Sequence, residues 1–196
     1  FAPGYLIGGQ PLDFPHSAHL GVAGVPFVIE GDEYDTAFFD KRAKFFHYLP
    51  QIAVVTSVEF DHGDIYRDLG EIQLAFQRML RQIPRTGWLV LCADNAALDL
   101  RPHAFSRVTT YGLAASAEWR GEVLGADQDC QRVRVFREGR IWVELEAPLA
   151  GRHNLQNTLA AVAVAGILGA DPESVRGAVR TDSGSAPSMP ATATAA

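Results

Sequence analysis

Three clusters in this sequence combine residue types and spacings that can do chemistry. The first is the acidic run Glu30, Asp32, Glu33 and Asp35 in VIEGDEYDTAFF. Carboxylates packed this closely repel one another unless a cation or hydrogen-bond donors compensate, and Mg²⁺ is a natural partner for hard oxygen ligands. The same run also reads as an acidic, solvated loop. The second is VEFDHGDIY, where His62 stands between Asp61 and Asp64; a histidine held between acids serves as a metal ligand, a general base or a structural residue. The third is GRHNLQN, in which Asn154 and Asn157 are three apart at the start of a helical pattern and so share one face. Paired carboxamides present donor and acceptor together, as an adenine edge requires. Asn154 alone would equally serve as a helix cap.

The elements that must position these residues alternate between strand and helix. Pro26–Glu30 (PFVIE), Ile52–Ser57 (IAVVTS) and Trp88–Cys92 (WLVLC) are short apolar runs that end in polar residues: Glu30, then Glu59, Asp61 and His62, then Asp94 and Asn95. In open α/β sheets ligands collect at the carboxyl ends of the strands, which makes these polar ends the place to look. Asp68 and Glu71 give a D-x-x-E start signal, and Ile72, Phe76, Met79, Leu80 and Ile83 follow at helical spacing. From Ala117 to Glu146 apolar and polar residues alternate around a turn at Gly139, predicting a small antiparallel meander. Asn154–Leu168 is a second helix, with Leu155, Leu159, Val162 and Ala163 on one face, and Asp171-Pro172 opens a third. The expected fold class is α/β: a mainly parallel sheet flanked by helices, with the meander attached.

Composition narrows the partners. Seventeen basic against twenty-three acidic residues give a formal charge of −6, so a nucleic acid would need a local basic patch, and none is present. Lys41, Arg42 and Lys44 form the densest basic cluster, read here as a solvated helix face. Cys92 and Cys130 form no C-x-x-C pair, which argues against a disulfide scaffold or a zinc ribbon. No apolar run approaches the roughly 18 residues of a membrane span, so the expectation is a cytoplasmic chain without membrane insertion.

VVTSVEFDHGD followed by GRHNLQNTLAAVAVA resembles the two ordered signatures of the Mur ligase family, roughly T-N-x-x-x-D-H-x-D and G-x-H-N-x-x-N-x-x-A-A. EGDEYDTAFFDKRAKFFHY is similar to the branch that ligates a tripeptide. The resemblance implies that residues 1–179 are part of a P-loop-NTPase-like central ATP-binding domain, with 180–196 a tail too poor in bulky apolar residues to order itself. It implies Glu30 and His62 as Mg²⁺ ligands, and Asn154, Asn157 and His153 as contacts to the adenine nucleotide of ATP. The implied reaction uses ATP to phosphorylate the lactyl carboxylate of UDP-N-acetylmuramate. The α-amine of L-alanyl-γ-D-glutamyl-meso-diaminopimelate then attacks the acyl phosphate. Three departures stand out. The sequence contains no G-x-x-G-K-[ST] phosphate loop, so the loop's strand and helix are missing. Ser57 replaces the usual Asn, and no Lys follows His62. The family's N-terminal UDP-sugar domain and C-terminal peptide-binding domain are also missing partners. The expectation is therefore a ligase fragment inactive alone, with two alternatives: a fragment of a UDP-N-acetylmuramate–L-alanine ligase, or a non-catalytic nucleotide-binding module.

Overall fold

The computed structural model describes residues 2–9, 11, 14–31, 35–58, 68–128, 130–148, 151–181 and 194–195. Three short strands come first: β1 (Gly4–Leu6), β2 (Ala18–His19) and β3 (Phe27–Glu30). A hairpin of β4 (Asp35–Ala37) and β5 (Asp40–Ala43) leads to a 3-10 turn over Lys44–His47. Strand β6 (Ile52–Val55), helix α1 (Leu69–Leu80), strand β7 (Trp88–Cys92), a 3-10 segment (Ala96–His103) and strand β8 (Arg107–Gly112) follow. Then come β9 (Trp119–Ala126), β10 (Cys130–Arg137), β11 (Arg140–Pro148), α2 (Arg152–Ile167), α3 (Pro172–Thr181) and a two-residue strand, β12 (Thr194–Ala195).

Apart from the hairpin, these strands form one ten-stranded sheet in the order β11-β10-β9-β8-β7-β6-β12-β3-β1-β2. β6, β7, β8 and β9 pair in parallel, as do β1 and β3. β12 lies between β3 and β6 and runs antiparallel to both. Those two strands therefore point the same way, and the carboxyl ends of β3, β6, β7 and β8 lie along one rim.

The mainly parallel sheet flanked by helices is as the sequence predicts, and three details differ. The antiparallel meander β9–β11 is continuous with the parallel sheet rather than a separate flap, because β9 pairs with β8 at Tyr111–Trp119 and Gly112–Arg120. β8 was not anticipated: its RVTTYG reads as polar, yet Thr109 and Thr110 are buried. Their hydroxyls are satisfied, Thr109 Oγ1 donating to Glu118 Oε2 at 2.8 Å and Thr110 Oγ1 accepting from the Glu118 amide at 3.1 Å. Lys41 and Arg42 sit on β5 and Lys44 opens the 3-10 turn, so the basic cluster is not a helix face. Arg42 pairs with Asp40 at 2.6 Å.

The core forms where apolar runs meet helical stripes. All four residues of β6 and the last four of β7 are buried, as befits strands covered on both faces. α1 contributes Ile72, Phe76, Met79 and Leu80, and α2 contributes Leu155, Leu159, Ala160, Val162 and Ala163. The D-x-x-E signal is realised: Asp68 is the N-cap and accepts from the Glu71 amide at 3.0 Å. Asp171 caps α3 through the Ser174 amide at 2.9 Å. Gly166 of α2 lies against the Trp119 ring so closely that a Cβ would collide with it. The indole in turn meets Trp142 edge-on at 5.1 Å.

Candidate nucleotide-binding site

Helix α2 starts at the carboxyl rim, and its start differs from the sequence reading. Gly151, with φ of 110°, is the N-cap, and Arg152 begins the helix two residues before Asn154. Asn154 therefore lies inside the first turn and does not cap it. Only glycine adopts that φ without strain, and its lack of a side chain leaves the first turn without side-chain capping. Gln131 of β10 braces the cap residue from outside, donating Nε2 at 3.1 Å to the Gly151 carbonyl, which also accepts the helical bond from the Leu155 amide. On the turn itself His153 is exposed, while Asn154 and Asn157 are half-buried. Asn157 Nδ2 and His153 Nε2 are 3.2 Å apart, a bond that requires the histidine tautomer with an unprotonated Nε2. The three predicted nucleotide residues are thus on one helix start, two of them in direct contact.

The turn is anchored by a residue that sequence reasoning placed at a strand end without assigning it a role. Asp94 follows β7, and its side chain is 1% exposed. Oδ1 accepts from the amides of Leu113 and Ala114 at 3.0 and 2.7 Å, and Oδ2 accepts from the same Leu113 amide at 2.9 Å and from Gln156 Nε2 of α2 at 2.7 Å. Arg152 Nη2 stands 3.8 Å from Oδ2. Burial by itself would raise the Asp94 carboxyl, but the Gln156, Leu113 and Ala114 hydrogen bonds and the Arg152 charge outweigh it and hold the group below the ordinary carboxylate range. Gly112 makes room: a Cβ there would lie 2.8 Å from Asp94 Oδ1. Next door, Asn95 donates Nδ2 to the Thr56 carbonyl at 2.8 Å, tying the end of β7 to the chain leaving β6. The available signal is an acid two residues past the end of a buried strand. What it binds lies 19 to 62 residues away in sequence.

Glu30 ends β3 on the same rim, roughly 14 Å across the sheet from β7 if three strand spacings separate them. Its Oε2 accepts from the Gly8 amide at 2.7 Å, and a Cβ on residue 8 would meet that oxygen at 2.6 Å, so a larger residue there would displace the carboxylate. His62, the other predicted Mg²⁺ ligand, lies outside the described residues, as do Asp32 and Glu33. Among the described residues no group of three acids, histidines or cysteines converges to hold a metal ion. An apolar cavity of about 670 Å³ opens at the amino ends of β3 and β6, lined by Phe27, Ile29, Ile52 and Leu168 among others. It includes none of the predicted site residues and is not this site. Cys92 is buried and Cys130 half-buried, and neither is in a disulfide.

In an open, mainly parallel sheet the carboxyl rim is where ligands bind, and this helix start and acid lie on it. The Mur ligase middle domain model matches residues 25–165, and the chain belongs to that family. It is 37% identical over 174 residues to the UDP-N-acetylmuramate–L-alanyl-γ-D-glutamyl-meso-2,6-diaminoheptandioate ligase of Escherichia coli K12, spanning 88% of this chain and 37% of that protein. It is also 37% identical over 188 residues to the UDP-N-acetylmuramate–L-alanine ligase of Bordetella petrii, spanning 93% of this chain and 38% of the relative. The crystal structure of the UDP-N-acetylmuramate:L-alanyl-γ-D-glutamyl-meso-diaminopimelate ligase (MPL) from Neisseria meningitides superposes with a TM-score of 0.79 at 38% identity, covering 92% of this chain and 57% of that one. The chain therefore spans well under half the length of these curated relatives. Among the described residues no helix is long and apolar enough to cross a membrane.

Proposed function

We propose that this chain carries the adenine-binding part of an ATP-dependent ligase that joins UDP-N-acetylmuramate to L-alanyl-γ-D-glutamyl-meso-diaminopimelate in the recycling of peptidoglycan, in the cytoplasm. The observation that carries this reading is the first turn of α2, where Asn154 and Asn157 sit at the carboxyl rim of the parallel sheet on a helix fixed from outside by Asp94 and Gln131. The side-chain carboxamides offer the paired donor and acceptor that an adenine edge takes, and His153 stands beside Asn157. Preorganised contacts of this kind place the nucleotide without further ordering cost, which is the main contribution a protein makes to phosphoryl transfer.

Glu30 fits a Mg²⁺ site in chemistry, being a hard oxygen donor at a strand end with one oxygen oriented by the Gly8 amide. His62 would be the second ligand. A bound Mg²⁺ would neutralise charge on the phosphates; the residues of this chain would orient it and the purine. The carboxylate of the sugar lactyl group would take the γ-phosphoryl group, releasing ADP. The peptide amine would then displace phosphate to form the amide. The rest of that machinery, the phosphate loop of the central domain together with the N- and C-terminal domains, is proposed to accompany this segment in a longer protein.

The similarity to the Bordetella petrii L-alanine ligase supports a second reading, in which the acceptor is L-alanine. The tripeptide is preferred because the FFDKR continuation, which builds the β4–β5 hairpin, resembles the tripeptide branch. ATP titration of the purified chain tests the nucleotide reading: the Asn154→Ala, Asn157→Ala double variant is expected to bind at least about tenfold more weakly, and equal binding overturns it. Given all substrates, the chain alone is expected to release no ADP above background. Turnover abolished by Glu30→Ala would contradict the expectation that it is inactive by itself.

A further inference from the structure

We infer that Asp94 is a positioning residue for the nucleotide, setting the orientation of the first turn of α2 through Gln156. The inference rests on the nucleotide reading for what the turn binds, but its geometry stands apart from it. Asp94 joins three segments that are remote in sequence: the end of β7, the β8–β9 connection through Leu113 and Ala114, and α2 through Gln156 and Arg152. An ionised carboxylate only accepts, so it dictates that Gln156 turns its amide nitrogen inward. Gln156 lies between Asn154 and Asn157 on the same turn, so fixing its direction fixes the rotation of the turn about the helix axis. The N-cap cannot supply this, because Gly151 has no side chain to bond back to the helix. The space for the carboxylate is itself built, by the absence of a Cβ at Gly112.

An asparagine at position 94 keeps the size but places an NH₂ against a donor, either Gln156 Nε2 or the amides of Leu113 and Ala114. The contact with α2 can be rebuilt with reversed polarity: in the Asp94→Asn, Gln156→Glu double variant the carboxamide oxygen keeps the Ala114 amide and the Oδ1 branch of the bond that Leu113 shares between both oxygens, and its nitrogen donates to the new carboxylate. A merely destabilising substitution at position 94 would have no reason to be corrected by a second change on α2.

The experiment follows the backbone amides of residues 152–158 and the side-chain amides of Asn154 and Asn157 by NMR, without ligand and during titration with ATP. Asp94→Asn is expected to shift these resonances and to weaken ATP binding about tenfold, the scale of one lost charge-assisted hydrogen bond. The double variant is expected to restore both. Gln156→Leu, which leaves Asp94 bonded to the Leu113 and Ala114 amides, is expected to reproduce the loss and covers the case in which Asp94→Asn does not fold. Shifts and rescue without any response of the wild type to ATP would uphold the positioning role and overturn the nucleotide reading. If Gln156→Leu leaves the resonances of residues 152–154, which do not adjoin the substitution in the chain, in place, or the double variant fails to restore those of them that Asp94→Asn displaces, the positioning role is overturned.

Discussion

The two ends of the carboxyl rim are held in different ways. At the α2 end, Asp94 takes donors from two other segments, Asn95 ties β7 to the residue after β6, and Gln131 braces the helix cap from β10. At the β3 end, Glu30 is oriented by the amide of Gly8 on the β1 side. Burial follows the same division. β6 and β7 are buried almost throughout, whereas all four residues of β3 are half-exposed and the neighbouring Leu20 and Val22 are 89% and 68% exposed. The helix start that would hold a purine is therefore set by the dense half of the domain, and the acid that would meet phosphates sits on the loose half. Groups that must select a flat base benefit from that rigidity.

Four measurements sharpen or break this contrast. Leu89→Ala, at the fully buried centre of the sheet, is expected to lose about 2–5 kcal/mol in denaturant unfolding. A cost under about 1 kcal/mol would mean that the core is not where stability resides. Gly166→Val should cost about 1–3 kcal/mol, because its side chain must displace the Trp119 ring, and near-UV circular dichroism should report the disturbed indole. For Asp94 the effect depends on pH. Its carboxyl titrates lower in the folded protein than in the unfolded chain, so its contribution is complete above the unfolded value of about 3.9 and is lost as pH falls through the folded value. The stability gap between wild type and Asp94→Asn should be widest near neutral pH and narrow below about pH 4. A gap independent of pH would remove ionisation from the account. Smallest of all, Leu20→Ser on the loose half should change stability by no more than about 0.5 kcal/mol, and a larger loss would show that this half is packed more firmly than its exposure indicates.

Much of the frame was legible in the residues. WLVLC is the strand Trp88–Cys92 to the residue, since a short apolar run between turn signals has few other uses. Asp68 and Glu71 started α1 as their spacing predicts, because a cap depends only on neighbours within one turn. Ile52–Ser57 proved two residues too long, β6 ending at Val55 where the chain turns toward Asn95. The misplaced start of α2 has a similar cause. Asn154 is a favourable cap in isolation, but Gln131 stabilises the earlier Gly151 from a strand twenty residues away.

The sequence by itself determined the α/β class, the helix faces, the family and the three residues His153, Asn154 and Asn157 that share a turn. These follow from periodicity, capping and motif order, all of which act over a few residues. Only the tertiary structure decided that the meander extends the parallel sheet, that Thr109 and Thr110 are buried against Glu118, and that Asp94 grips Gln156. Each depends on which strand lies beside which. That is fixed by how the whole sheet buries its apolar faces and satisfies its polar groups, not by any local segment.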